Sequence, residues 1–477
     1  MAIKPLINLF SILVMLFSFS LLAPFAVSLV YKDSASNIFL LTFLIIFIPS
    51  VFSWYFTRNA QEEMGVKDGF IIITLFWVVL SAAGSIPFAL SGMSLIDSFF
   101  ESMSGITTTG ATVIKGLDLM PESILFYRQL LQWMGGMGLI VLAIAVMPLL
   151  GIGGGQLYKT EIPGALSDQK LTPRIKETAQ ALWAIYLALT ALCAMMYFIM
   201  GMTPFDAISH SLSTVSIGGF STHDESIGYF DSVAIESVCM VFMLLSALSY
   251  ALHYFALYKK KPLKYFYDSE LRFFISILCL VVALSVLIAY LVGYNDASFR
   301  QILFQSVSIV STTGFVSADY SAWPTAITFL LLIGAFIGAC SGSVGGGIKS
   351  WRVLIMINHA KINIIRLVHP NAVVSLKIGS KAVDDKVAES VWGFFSIYVI
   401  CFMLLLLSLL ATGMDFESAF SAIGACLNNL GPGLGMVSET YGSVTDFGKG
   451  VLALAMILGR LEIFTLLVLF TTVFWEK

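Results

Sequence analysis

The chain has 477 residues, of which 58% are hydrophobic and 12% charged, with a formal net charge of −3. Soluble domains average about 45–50% apolar and about 25% charged residues, so this composition excludes a soluble globular protein and predicts a polytopic membrane protein. It also lacks the basic excess that nucleic-acid binding demands. The six cysteines (Cys193, Cys239, Cys279, Cys340, Cys401 and Cys426) lie scattered in apolar runs, with no CxxC pair and no metal-ligand spacing, and read as small buried hydrophobes with free thiols.

A bilayer is crossed by about 20 apolar residues. Such runs fall at 5–31, 37–57, 69–91, 123–150, 178–202, 229–257, 271–293, 322–357, 387–413 and 448–475. The expected fold is therefore all-α with ten spanning helices. The first run follows Lys4 and ends near alanines, as a signal peptide does, but it exceeds the roughly 7–15 apolar residues of a signal core and reads as an uncleaved helix.

Between the members of each later pair of spans lies a stretch too short to cross. Aligned on one glycine, the four stretches read DSFFESMSGITTTG, DAISHSLSTVSIGG, QILFQSVSIVSTTG and SAFSAIGACLNNLG. Each has about ten small, apolar or hydroxyl residues, then a triplet ending in glycine. A short helix followed by non-helical backbone between two spans predicts a re-entrant loop, since exposed carbonyls at membrane depth are tolerated only where they are buried in protein or line a cavity. The short helices are expected at about 97–107, 205–215, 299–310 and 416–427. The triplets are Thr108-Thr109-Gly110, Ile217-Gly218-Gly219, Thr312-Thr313-Gly314 and Asn429-Leu430-Gly431. Backbone oxygens in a ring replace the hydration shell of an alkali cation, and glycine supplies the φ > 0 that turns them inward. The short helices would aim their partially negative C-termini at the same axis. No carboxylate lies in the triplets, which favours K⁺ or Na⁺ over a multivalent ion. The bland alternative is four unrelated glycine turns. This internal repeat divides the chain into a leading helix pair at 1–60 and four units at 61–156, 157–264, 265–370 and 371–477.

Lys and Arg crowd the connectors between units: Lys159, Lys170, Arg174 and Lys176, then Lys259–Lys261 and Lys264, then a longer series from Lys349 to Lys386. Acids follow the triplets instead, among them Asp118, Asp224, Glu225, Asp319 and Glu439. The positive-inside rule places the basic connectors and both termini in the cytoplasm and the triplets toward the outside.

Five further features complete the reading. Ala339–Lys349, ACSGSVGGGIK, interrupts a span with Gly342, Ser343, Gly345, Gly346 and Gly347. It predicts an unwound loop obstructing the path, with close helix packing as the alternative. It is no phosphate loop, because Ile348 separates Gly347 from Lys349. Arg460 sits inside the last apolar run, where a charge costs about 2.5–3.5 kcal/mol on insertion scales. It is expected to face the path below the ring, repel cations and bond the glycine-rich loop, and Glu462, two residues away, is a poor partner on the same helix. Glu101 needs a buried donor that the sequence does not identify. His210 and His223, with Ser211 or Ser213 close by, raise a membrane-embedded hydrolase as an alternative, although no GxSxG elbow is present. Trp54, Tyr55, Trp133, Tyr229, Trp392 and Trp475 read as interfacial anchors.

IGGFSTHD at 217–224, NNLGPGLG at 428–435 and GRLEIFTLL at 459–467 resemble the Trk/Ktr/HKT potassium transporters, the bacterial TrkH members most closely. The resemblance covers essentially the whole chain. It implies a K⁺-translocating subunit of the bacterial inner membrane with fourfold pseudosymmetry, homodimeric, and regulated by a cytoplasmic nucleotide-binding ring of the TrkA type. It implies that the loop at Gly342–Gly347 is an intramembrane gate. Members with serine in the first triplet tend to pass Na⁺, so Gly110 implies K⁺. A Na⁺ or mixed Na⁺/K⁺ member is the alternative within transport. No chain of acids suited to proton relay stands out, which favours channel-like movement over symport. The expected role is transport rather than catalysis, with K⁺ as permeant ion and no cofactor held by this chain.

Overall fold

The computed structural model describes residues 3–59, 65–146, 175–372, 374–379 and 381–476. Lys159, Lys170 and Arg174 lie outside them, as does the end of the expected span at 123–150.

The chain opens with α1 (Ile3–Ser20), α2 (Leu22–Tyr31) and α3 (Ser36–Thr57). Then come α4 (Val66–Leu90), α5 (Leu95–Ile106), α6 (Glu122–Val146), α7 (Ile175–Ile199), α8 (Pro204–Val215), α9 (Val233–Ala247) and α10 (Tyr250–Leu257). After a one-turn helix, Lys264–Tyr267, follow α11 (Ser269–Val292), α12 (Phe299–Val310), α13 (Thr325–Ile337) and α14 (Ser350–Val368). A small antiparallel hairpin, β1 (Lys377–Ile378) and β2 (Lys381–Ala382), precedes α15 (Asp385–Leu410), α16 (Phe416–Leu427) and α17 (Asp446–Arg460).

The four short helices α5, α8, α12 and α16 are each twelve residues long. A side-chain oxygen starts every one. Ser94, Thr203, Ser298 and Asp415 accept from the backbone N–H three residues on, which satisfies one of the orphan donors of a helix start. Each short helix packs between the long helices that flank it. Each also packs on the unit before it. α6 lies on α8, α9 on α12, α13 on α16, and α17 comes round to α5, so the arrangement closes on itself. The leading helices lie outside, α1 against α4 and α2 against α6.

Three expected spans are not continuous. The run at 229–257 breaks at Leu248–Ser249, where α9 and α10 are bent by 96°. The run at 448–475 breaks after Arg460, where α17 and the segment Phe464–Phe470 are bent by 108°. The run at 322–357 gives way to irregular backbone between Gly338 and Lys349. Among the described residues six helices are long and apolar enough to cross a membrane, or eight if each bent pair counts once, against the ten expected from hydropathy. Hydropathy cannot distinguish a straight helix from a broken one whose freed backbone groups find partners in protein.

Candidate functional site

The four triplets share one backbone form. Thr108, Ile217, Thr312 and Asn429 are left-handed, with φ of 55, 55, 63 and 51°. Gly110, Gly219, Gly314 and Gly431 are left-handed too, with φ of 85, 77, 85 and 100°. In an extended strand successive residues face opposite ways; alternating the handedness turns successive carbonyls to one side. A non-glycine residue held left-handed costs on the order of 1–3 kcal/mol. The same closing bonds hold it each time: Thr109 N to Ser104 O (2.9 Å), Gly218 N to Ser213 O (2.9 Å), Thr313 N to Ser308 O (2.8 Å) and Leu430 N to Ala425 O (2.8 Å).

The glycines meet around one centre. A Cβ on Gly110 would lie 2.2 Å from the Gly218 carbonyl oxygen, and one on Gly219 2.1 Å from that of Thr313. One on Gly314 would lie 2.1 Å from that of Leu430, and one on Gly431 2.6 Å from that of Thr109. Each contact leads to the next segment, and the fourth returns to the first. A side chain at any of these positions would strike a backbone oxygen. On one side of this ring is a cavity of about 660 Å³ lined by all four glycines together with Asp224, Glu225, Asp319 and Glu439. On the other is a cavity of about 90 Å³ lined by Gly342–Gly347, Lys349, Arg352, Arg460 and Glu462.

The glycine-rich loop lies directly under the ring. Gly346 N donates to Thr312 Oγ1 (2.7 Å), and a Cβ on Gly346 would lie 2.0 Å from the Asn428 carbonyl oxygen. Cys340 N donates to Ala247 O (3.0 Å) and Tyr250 N to Gly342 O (3.0 Å), so the loop stitches the two halves of the broken α9–α10 helix. Lys349 Nζ folds back onto the Gly345 carbonyl. Arg460 bridges loop and ring. Its guanidinium donates to Val344 O (3.0 Å), Thr108 Oγ1 (3.3 Å) and Gly135 O (2.9 Å), and it lies 5.2 Å from the Trp77 ring centre. Glu462 pairs instead with Arg352 of α14.

The donor for Glu101 is Arg128, on α6. The two side chains are 0% and 1% exposed, with Nε donating to Oε1 at 2.8 Å. Thr112 Oγ1 and Val113 N complete the carboxylate's shell at 3.0 Å each, and Arg128 also donates to Ser221 O (3.1 Å). Polar residues inside apolar runs were the available signal. Arg128 and Gln132 stand four apart on one face of α6, Glu236 sits in α9, and Lys449 in α17 reaches Asp97 at 2.5 Å.

His210 Nδ1 donates to the Asp206 carbonyl (2.9 Å), which leaves Nε2 of the neutral ring to accept from Ser221 Oγ (2.9 Å). Ser211 bonds its own helix at Ile208 O. Neither Ser211 nor Ser213 is aimed at the imidazole. In the mouth, His223 Nδ1 meets Asp118 (2.5 Å) and Nε2 faces Asp206 (3.5 Å), with Tyr229 stacked on its ring at 3.5 Å. Burial disfavours the charged ring, but the two carboxylates outweigh it and raise the His223 pKa above its ordinary value. Of the expected anchors, Trp133 turns inward, donating to Thr190 (3.1 Å) and packing on Trp183 and Tyr186.

Against known proteins, a family model named TrkH and described as a cation transport protein matches residues 35–477. The chain is similar end to end to the Trk system potassium uptake protein TrkH of Halomonas elongata, at 49% identity over 482 residues, and to that of Escherichia coli, at 46% over 484, with 100% of each chain covered. It is also similar to the crystal structure of the potassium transporter TrkH from Vibrio parahaemolyticus, at 48% identity, TM-score 0.90 and full coverage of both chains. With the family model matched over most of the length and such identity over all of it, the chain belongs to the TrkH family of cation transport proteins.

Proposed function

We propose that the chain takes up K⁺ across the bacterial inner membrane through the ring formed by the four triplets, moving down the electrochemical gradient. The observation that carries this is the closed circuit of glycines, each within contact of the next segment's carbonyl. The names of the relatives, potassium uptake protein and potassium transporter, support the ion. In this reading units 61–156, 157–264, 265–370 and 371–477 are four pseudo-repeats around one path, behind a leading pair at 1–60. Thr108–Gly110, Ile217–Gly219, Thr312–Gly314 and Asn429–Gly431 coordinate the ion. Acids in the mouth concentrate cations. Gly342–Gly347 and Arg460 restrict flow from below, and their bonds to Thr312 and Thr108 support that role.

The chain works in a homodimer with a cytoplasmic nucleotide-binding ring of the TrkA type; the relatives' designation as parts of a Trk system is consistent with several components. The exposed lysines at 259–261 suit docking. Both termini lie in the cytoplasm. The chain is not an enzyme: its relatives are named for transport, and the serines expected to serve His210 do not face it.

Reconstituted into liposomes, the protein should carry Rb⁺, with K⁺ competing strongly and Na⁺ weakly. Gly110→Ser and Gly314→Ser should each destroy that preference. No flux, or flux indifferent to both changes, defeats the reading, and preference for Na⁺ in the unaltered protein would assign it to the alternative ion.

A further inference from the structure

The second triplet differs from the others at its middle position. Gly218 stands where the others carry Thr109, Thr313 and Leu430. Its backbone does not demand glycine. The left-handed residues of this segment are Ile217 and Gly219, and Thr109 and Thr313 occupy the same place between a left-handed residue and a left-handed glycine. What excludes a side chain at 218 is space. A Cβ there would lie 2.3 Å from Cδ of Gln132, 2.4 Å from its Oε1 and 2.8 Å from its Nε2.

Gln132 comes from α6, in the preceding unit, and is 0% exposed. Nε2 donates to the Gly218 carbonyl at 2.6 Å, and Oε1 accepts from Phe220 N at 3.1 Å. Rotating the amide would set acceptor against acceptor and donor against donor, so the network fixes its orientation. One turn earlier on α6, Arg128 grips the same strand at Ser221 O. Thr109, Gly218, Thr313 and Leu430 supply the four matching carbonyls of the ring. Of these four, the Gly218 carbonyl accepts a side-chain hydrogen bond, from Gln132.

We infer that Gln132 is a positioning residue for the second quarter of the ring. Its amide fills the volume that a threonine side chain fills in the first and third segments, and it fixes the Gly218 carbonyl and the Phe220 amide at once. The inference rests on the carbonyl-ring reading above. Discrimination between alkali ions depends on how many oxygens face the ion and how firmly they are placed. With Gln132 truncated, a void opens beside the segment and the Gly218 carbonyl swings free. Preference between ions is lost before conduction is.

Rb⁺ uptake and its competition by K⁺ and Na⁺ in proteoliposomes test this with Gln132→Ala, Gly218→Thr and the double variant. Gln132→Ala should keep Rb⁺ uptake while its K⁺ over Na⁺ preference falls roughly two- to tenfold, the scale of one net hydrogen bond. Gly218→Thr alone should abolish uptake, because its side chain meets the amide. In the double variant the threonine enters the vacated space, and uptake and preference should both recover in part. Where Gln132→Ala fails to fold, Gln132→Met keeps the chain length without the polar atoms and should show the same loss of preference. Unaltered preference in the foldable variant, or a double variant no better than Gly218→Thr, overturns the inference. An unaltered protein that carries no Rb⁺ counts against the ring itself, not against Gln132.

Discussion

Arg460 donates to two carbonyls and a hydroxyl, Val344 O, Gly135 O and Thr108 Oγ1, which hold its guanidinium between loop and ring. On the proposed reading, a guanidinium held beneath the cation path is a barrier, and Arg460→Ala should raise Rb⁺ flux severalfold; unchanged flux would remove the barrier. Glu101 and Arg128 are the opposite case, a buried pair with every polar group satisfied. Glu101→Ala strands the guanidinium, and the loss should approach about 3–5 kcal/mol, read as a lower melting temperature in detergent. His223 lines the larger cavity between Asp118 and Asp206, near His210 at 6.4 Å and against Tyr229. Its pKa is raised in the folded protein, so its contribution to stability is full below the unfolded value of about 6.5 and fades as pH rises through the folded value. Burial works against the Asp118 anion, yet its bond to His223 holds it below the usual carboxylate range, which keeps the acid charged throughout. The melting difference between the unaltered protein and His223→Gln should therefore shrink from pH 6 to pH 9, and a constant difference would refute the assignment.

On the proposed reading, the glycine-rich loop is the element on which obstruction depends. Gly346 has a backbone oxygen 2.0 Å from where its Cβ would stand. Gly346→Ala cannot be accommodated by rotating a side chain, so the loop must move off Asn428. Rb⁺ flux should rise in protein that still elutes as a folded species, and a folded variant with ordinary flux would show that the loop does not obstruct. The four short helices and this loop were legible in the sequence, because small and hydroxyl residues followed by glycine recur at even spacing. The breaks were not. Leu248–Ser249 and Leu461–Glu462–Ile463 contain neither glycine nor proline. The first bend is set by the loop, which supplies Cys340 N and Gly342 O in place of the helix's own ladder. The second holds Glu462 and Ile463 at φ of 53 and 59°, and the pairing of Glu462 with Arg352 from α14 anchors it there. Both depend on residues at least 90 positions away, beyond any local pattern. Gln132 was marked by its polarity inside an apolar run, but its role was hidden for the same reason: its meaning lies in the missing side chain of Gly218, 86 residues on. The hairpin at 377–382 was missed because two-residue strands carry too little alternation to register.

Across the whole molecule, neighbouring units are fastened by unlike devices. Arg128 and Gln132 reach the second segment, Arg300 on α12 meets Asp231 and Glu236 at 3.2 Å each, and Tyr320 donates to Gly433 O (3.2 Å). The last seam is Lys449 to Asp97 with Asn429 Nδ2 on Thr109 Oγ1 at 3.0 Å. Among the described residues, one apolar cluster joins the leading helices to the first and fourth units, and another joins the second and third with Ala425, Leu430 and Leu434 of the fourth. Exchanging Lys259, Lys260 and Lys261 for glutamate touches none of these seams. It should leave basal Rb⁺ flux intact while abolishing its response to an added nucleotide-binding ring, and a preserved response would place the docking surface elsewhere. The last seam also bears on biosynthesis. The helix that completes the circle, α17, ends in Arg460, directly beneath Thr108. A ribosome delivers that helix after the three earlier quarters, which on the proposed reading would stand in the bilayer as an unfinished arc. On the same reading, the final quarter would bring the cork together with the missing wall, so that a newly made molecule would not pass through a stage that leaks.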